Sequence, residues 1–263
     1  MQISFNDITI NYEDEGAGKL PIIFIHGFPF DKTMWQPQID FFKKENRVIA
    51  YDIRGFGQST YGSTQHSIEL YANDLILMMD ALGFEKAIVC GLSMGGYILL
   101  NAASRHPEKF AGIILADTQC FADTQAGKEK RFKTMEQIEA GGLFDFANGF
   151  VENVFRKETF IENKVAVEKI KGTILSTSPT TIVAALNALA TREATCDALQ
   201  KIIVPTLIIC GEDDMLTPID KSQFLKENIK NASLQIIKGA AHLSNLEQPD
   251  SFNQHLNEFI LSL

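Results

Sequence analysis

The stretch Val89-Cys90-Gly91-Leu92-Ser93-Met94-Gly95-Gly96 decides how the rest of the chain is read. The apolar run Ala87-Ile88-Val89-Cys90 leading into it predicts a strand, and residues 97–104 leading out predict a helix. A strand that turns into a helix at one residue forces that residue into strained backbone geometry. Its neighbours must lack bulk, because the two arms nearly touch. Gly91 and Gly95, flanking Ser93 at minus two and plus two, meet that need. Such a turn holds the Ser93 hydroxyl at the tip of a sheet and leaves N–H groups unpaired at the helix start. G-x-S-x-G in this setting is a candidate nucleophile elbow. The plain alternative is a glycine-rich turn with an ordinary serine.

Outward from the elbow, buried strands alternate with helices. Upstream, residues 3–12 alternate around Asn6-Asp7 and predict an edge hairpin, followed by a glycine-containing loop over 13–19. Residues 20–25 and 47–51 are continuous apolar runs, typical of strands covered on both faces. Residues 34–45 between them read as a helix. Ser67 is a plausible N-cap for a helix whose apolar stripe is Ile68, Tyr71, Leu75, Met78 and Leu82. Downstream, residues 110–115 form another buried strand ending at Asp117. From 120 to 199 strand-like runs vanish and amphipathic stripes replace them, such as Phe132, Met135 and Ile138. Ser178-Pro179 opens the last of these helices as N-cap and N1. Strands over 203–210 and 234–237 and helices over 219–228 and from 249 onward restore the βα rhythm. The expected architecture is α/β: a mostly parallel, doubly wound sheet with an N-terminal antiparallel hairpin and an all-helical insertion. The expected division is a core over 1–119 and 200–263, with a helical unit over 120–199.

The 263 residues are ample for a buried core, and 45% hydrophobic with 22% charged residues is ordinary globular composition. A net charge of −9 argues against a general nucleic-acid or anionic-membrane binder. No apolar run approaches the roughly 18 residues of a membrane span. Cys90, Cys120, Cys196 and Cys210 show neither a C-x-x-C pair nor metal-ligand spacing. All are expected as reduced thiols in a cytoplasmic protein, consistent with an N-terminus lacking a secretory leader.

Ser93 needs a base to activate it and a group to orient that base. Of the five histidines, His66, His106 and His255 read as surface or structural residues. His242 follows the last strand in Lys238-Gly239-Ala240-Ala241-His242, where it can reach over the sheet edge towards Ser93. The orienting acid must come from another strand end. Glu212, Asp213 and Asp214 offer a cluster after one strand, and Asp117 ends another. Two N–H donors must meet the developing oxyanion; Met94 follows the nucleophile, and Phe28 lies in the loop His26-Gly27-Phe28-Pro29. His26 reads as a turn-stabilising residue.

Taken together, His26-Gly27-Phe28-Pro29, the loop 52–59, the elbow, the loop 211–218 and Ala241-His242 resemble the α/β-hydrolase fold superfamily, in its order Ser, acid, His, over essentially the whole chain. In that family's G-x-x-D-x-x-x-P pattern the acid is the fourth residue, which assigns Asp214. The resemblance also implies that 120–199 is a cap over the active site. Phe28-Pro29 with Met34-Trp35 look nearest to small carboxylesterases, enol-lactonases and cofactor-free perhydrolases. Relatives with aspartate at the elbow, the haloalkane dehalogenases and epoxide hydrolases, are excluded by Ser93.

The implied activity is a serine hydrolase of small to medium carboxylic esters or lactones, working through an acyl-enzyme on Ser93. Perhydrolase or C–C bond hydrolase activity on the same residues is the alternative; a ligand-binding receptor with a vestigial triad is the third reading. The partner is a small-molecule ester, and the chemistry calls for neither a metal nor an organic cofactor. The loop 52–59 lacks the third glycine and the spacing of a dinucleotide site. The pocket is expected to be apolar, with Trp35 as a substrate-binding residue and Phe121, Phe146 and Phe150 as further walls.

Overall fold

The computed structural model describes residues 1–263. Eight strands form one sheet: β1 (Gln2–Phe5), β2 (Ile8–Glu15), β3 (Ile22–Ile25), β4 (Val48–Tyr51), β5 (Ala87–Leu92), β6 (Phe110–Ala116), β7 (Thr206–Gly211) and β8 (Ala232–Ile237). Their order across the sheet is β1-β2-β4-β3-β5-β6-β7-β8. The β1–β2 hairpin and the β2–β4 pair are antiparallel. Every other pair is parallel. The hairpin turns at Asn6, which takes φ 49. Asparagine tolerates that left-handed conformation better than most residues.

The expected elements appear with shifted ends. β2 runs on through Glu15, because residues 12–15 pair with β4. β7 begins at Thr206 rather than at 203. Pro205 has no N–H to give a neighbouring strand, and Ile203 is exposed.

The helices of the βα rhythm are α1 (Gln36–Phe42), α2 (Ile68–Ala81) and α3 (Met94–Arg105). Ser67 caps α2 by accepting from the Leu70 N–H at 3.0 Å. Between β6 and β7 come α4 (Gln125–Glu139), α5 (Leu143–Val154), α6 (Thr159–Glu162), α7 (Lys164–Ser176) and α8 (Pro179–Thr191). α9 (Ile219–Asn228) precedes β8; α10 (Ser244–Glu247) and α11 (Pro249–Leu261) end the chain. α1 packs on α11 and α2 packs on α3, so helices cover both sides of the sheet.

The apolar stripes of α4, α5, α7 and α8 contribute Ile138, Val151, Ile170 and Leu186 to the same hydrophobic cluster as the strands. The helices between β6 and β7 therefore share the main core. Only part of the α4 stripe is buried: Met135 and Ile138 point inward, while Phe132 is exposed.

Two of the cysteines depart from expectation. Cys120 and Cys196 form a disulfide that joins residues 76 apart. Sequence spacing hid the pair because both lie where the helical segment leaves and re-enters the sheet. There Thr195 N–H donates to the Cys120 carbonyl at 2.8 Å. Cys90 and Cys210 are free and buried. No single helix is long and apolar enough to cross a membrane.

Candidate active site

Ser93 joins β5 to α3 with φ 55 and ψ −113. That conformation costs a non-glycine residue about 1–3 kcal/mol and persists only when the surroundings enforce it. Here the Ser93 N–H donates to the Ala116 carbonyl at 2.9 Å. Its carbonyl accepts from Thr118 Oγ1 at 2.8 Å. The sterics expected of the flanking glycines are present: a Cβ on Gly91 would stand 2.3 Å from the Gly95 carbonyl oxygen, and one on Gly95 would stand 2.4 Å from that of Ile25.

His242 Nε2 lies 2.9 Å from Ser93 Oγ. Its Nδ1 lies 2.9 Å from Asp214 Oδ2. An ionised carboxylate can only accept, so Nδ1 carries the proton and Nε2 presents its lone pair to the serine hydroxyl. Asp214 is fixed in turn. Its Oδ1 accepts from the N–H groups of Leu216 at 2.8 Å and Thr217 at 3.0 Å, and its Oδ2 accepts from Thr217 Oγ1 at 2.6 Å. Sequence reading missed Thr217, although a threonine three residues after the acid is the signal of a turn that caps its own carboxylate.

Burial alone would raise the Asp214 pKa, but the His242 charge, its hydrogen bond and the Thr217 donors lower it to about 2. Burial likewise pulls His242 down. The Asp214 carboxylate, its hydrogen bond and the charges of Asp117 and Glu247 outweigh that and hold His242 above its ordinary value.

Asp117, the other acid considered, does not touch His242. Its Oδ1 accepts from the Gly211 N–H at 2.8 Å, and its Oδ2 accepts from Ser244 Oγ. Burial, with repulsion from Asp214, pushes it up to about 8. Asp117, Cys210 and Asp214 converge closely enough to suggest a metal group. Their carboxylate oxygens are already committed to hydrogen bonds with Gly211, Ser244, Leu216, Thr217 and His242, which makes a poor ligand set.

The loop after β3 passes against the elbow: a Cβ on Gly27 would lie 3.4 Å from Ser93 Cβ. The Phe28 N–H has no protein acceptor, and Met94 opens α3 with no preceding turn to donate into. His26 braces this loop. Its Nδ1–H donates to the Gly27 carbonyl and its Nε2 accepts from the Ile53 N–H, each at 2.9 Å. The loop 52–59 is built on ion pairs instead of a phosphate cradle. Asp52 binds Lys32 Nζ at 2.9 Å, and Arg54 binds Asp74 bidentately at 2.7 and 2.8 Å.

Above Ser93 lies a cavity of about 770 Å³. Phe28, Phe146, Phe150, Leu186 and Leu189 form an apolar wall. The expectation of an apolar pocket holds only in part, because α4 adds Gly127, Lys130, Arg131, Thr134 and Gln137 to the lining. These positions recur at helical spacing and make a polar stripe beside the buried Met135 and Ile138. Asp123 joins Arg131 and Arg192 in an ion-pair chain at that stripe.

Trp35 is not in this cavity. It is fully buried between Phe24 and Phe252, with ring centroids 4.8 and 6.0 Å away. As the largest apolar side chain near α1, it fills the core between sheet and helices. Phe121 is also elsewhere, against Phe224 and beside a second cavity of about 360 Å³.

A family model described as the alpha/beta hydrolase fold matches residues 21–249. The chain is 31% identical over 253 residues to a 3-oxoadipate enol-lactonase of Acinetobacter baylyi, covering 95% of this chain and 92% of that protein. It is 28% identical to a bifunctional esterase/perhydrolase of Acinetobacter calcoaceticus, with 97% of each chain covered. The structure of a thermophilic esterase from Thermogutta terrifontis superposes with a TM-score of 0.93 at 33% identity, covering 97% of this chain and 94% of the other. With sheet order, elbow and matched span in agreement, the chain belongs to the alpha/beta hydrolase fold family.

Proposed function

We propose that the protein is a serine hydrolase of carboxylic esters, lactones included, acting through an acyl-enzyme on Ser93. The observation that carries this reading is the unbroken relay from Ser93 Oγ to His242 to Asp214, each link 2.9 Å, at a strained elbow. Ser93 attacks the ester carbonyl as His242 Nε2 takes its proton. The Asp214 carboxylate stabilises the resulting imidazolium. The N–H groups of Phe28 and Met94 meet the oxyanion, where loss of one such donor costs about 3–4 kcal/mol. His242 then protonates the leaving alcohol, and water repeats the sequence on the acyl-enzyme. In this reading the helices between β6 and β7 act as a cap, because residues of α4, α5 and α8 wall the cavity above Ser93.

Purified protein is expected to hydrolyse p-nitrophenyl acetate and butyrate, and Ser93→Ala to abolish turnover. Full turnover in that variant would sink the assignment. The relative with combined esterase and perhydrolase activity favours peracid formation as the second reading, tested by assaying acid plus peroxide on the same preparation. A cytoplasmic location keeps the free Cys90 and Cys210 in its support, but Cys120–Cys196 weighs against it.

A further inference from the structure

Glu247 is a largely buried carboxylate to which the acyl-transfer chemistry gives no role. It closes α10, five residues after His242, and three donors converge on it. Its Oε2 accepts from the Ala241 N–H at 2.6 Å. Its Oε1 accepts from the Arg156 N–H at 2.9 Å and from the Thr159 hydroxyl. Ala241 precedes the base, whereas Arg156 and Thr159 belong to the helical segment between β6 and β7. One carboxylate therefore ties that segment to the backbone that carries His242.

The tie acts on a loop that has little room to move elsewhere. A Cβ on Gly211, at the end of β7, would stand 2.0 Å from the Ala241 carbonyl oxygen. The Asp213 N–H donates to the Ala240 carbonyl at 2.9 Å. The loop is thus pressed from the β7 side and held from the other by Glu247. The Arg156 side chain reinforces the same junction, with Nε 2.9 Å from Asp213 Oδ2 and a bond from its guanidinium to the Gly239 carbonyl at 3.2 Å. Asp213 is half exposed, so that ion pair adds little by itself. Burial raises the Glu247 pKa, and the Thr159, Arg156 and Ala241 donors work against that. Without the two donors from the helical segment, an ionised Glu247 would be left under-solvated and would turn towards water, releasing Ala241.

We propose that Glu247, held by Arg156 and Thr159, is a positioning residue: seating of residues 156–159 sets the alignment of His242 with Ser93. The inference rests on the serine-hydrolase reading. It makes the helical segment more than a wall of the pocket, since its docking is coupled to the base.

Two variants test it, each scored per folded active site. Glu247→Gln keeps an acceptor for one side but places an amide N–H against a donor on the other. Thr159→Val removes one donor at nearly constant shape. Glu247→Gln is expected to lower kcat by about tenfold to a hundredfold, in line with small misplacements of a catalytic group. KM should hold within about twofold, because the cavity walls are untouched. Thr159→Val should move kcat in the same direction by less. In both, the far-downfield proton resonance of the His242 Nδ1–H bonded to Asp214 should shift or broaden, which simple loss of stability does not produce. Parental kcat and an unmoved resonance in folded Glu247→Gln overturn the proposal. Should that variant not fold, Thr159→Val decides by the same two readings. If Ser93→Ala retains turnover, the hydrolase reading itself has failed. If Ser93→Ala is inactive while both positioning variants match the parent, only the present inference has.

Discussion

β6 and β7 are neighbours in the sheet, and a buried aspartate lies beyond each. Asp117 directly follows β6 with φ 46, one of three non-glycine residues at positive φ. Asp214 lies three residues beyond β7, in a turn that folds back so that Thr217 and Leu216 donate to it. The first carboxylate faces a backbone N–H and a serine; the second faces an imidazole. Position at a strand end is therefore not what assigns the acid. The partners brought by the adjoining turn assign it: against its burial, the His242 charge and the Thr217 donors pull Asp214 down to about 2, whereas burial and repulsion from Asp214 push Asp117 up to about 8. Pairs of groups with divergent pKa values in one site mark divided roles.

The sharpest way to break this comparison is to neutralise each acid in turn, beginning with Asp214. Asp214→Asn keeps the shape but presents an amide, which can favour the wrong imidazole tautomer. A loss of about 10³–10⁴ in kcat is expected by analogy with the acid of serine-protease triads. Because Asp214 holds His242 above its ordinary value, the acid limb of kcat/KM in the parent should lie above the free-imidazole pKa of about 6.5. The residual activity of the variant should show that limb at lower pH. A variant with near-parental kcat would transfer the role to Asp117.

The two strand ends also lead into different kinds of connection. The chain beyond β6 departs into the helical segment, and the Cys120–Cys196 bond closes that excursion at its base. The loop after β7 has no such clasp. Cys120→Ser should lower stability by about 2–4 kcal/mol, read by urea denaturation of oxidised parent against variant. Neither cysteine lines the cavity above Ser93, so kcat at 25 °C should change little. A collapse of kcat with an unchanged denaturation midpoint would mean that the clasp shapes the site instead of the fold.

The legible parts of this molecule are those in which local chemistry and tertiary role coincide. Gly91 and Gly95 announce an elbow because the close approach that requires them is set by residues within the same motif and by one neighbouring strand. His242 is legible because a post-strand loop of small residues lets it reach over the sheet edge towards Ser93. Spacing alone does not separate Asp117 from Asp214, since their difference lies in turn geometry; the family pattern does so. The Cys120–Cys196 pair, the buried place of Trp35 and the polar face of α4 are not legible. The first and last depend on how a helical excursion is laid over the sheet, and Trp35 on how Phe24 and Phe252 close around it, which no local period encodes. The α4 stripe comes nearest, since its polar positions repeat as regularly as Met135 and Ile138 do.

The smallest expected effect gives the finest test of the contrast between the acids. Asp117→Asn preserves an acceptor for the Gly211 N–H and touches none of the reacting groups, so kcat should fall by at most about tenfold. Its signature belongs to stability instead. Asp117 is raised in the folded state, from an unfolded value of about 3.9 to about 8. Its contribution is therefore complete below pH 4 and is lost as pH rises through 8. Asparagine cannot ionise, so the stability of Asp117→Asn relative to the parent should climb from pH 4 to pH 8 and then level. Asp214 is lowered to about 2, so its contribution is complete above pH 4 and is lost as pH falls through 2. Asp214→Asn should therefore lose ground to the parent as pH rises from 2 to 4 and run parallel above that. Urea titrations of the three proteins between pH 2 and pH 9 read both windows. Parallel curves for parent and Asp117→Asn across pH 4–8 would remove the electrostatic distinction and leave the acids separated by hydrogen-bond geometry alone.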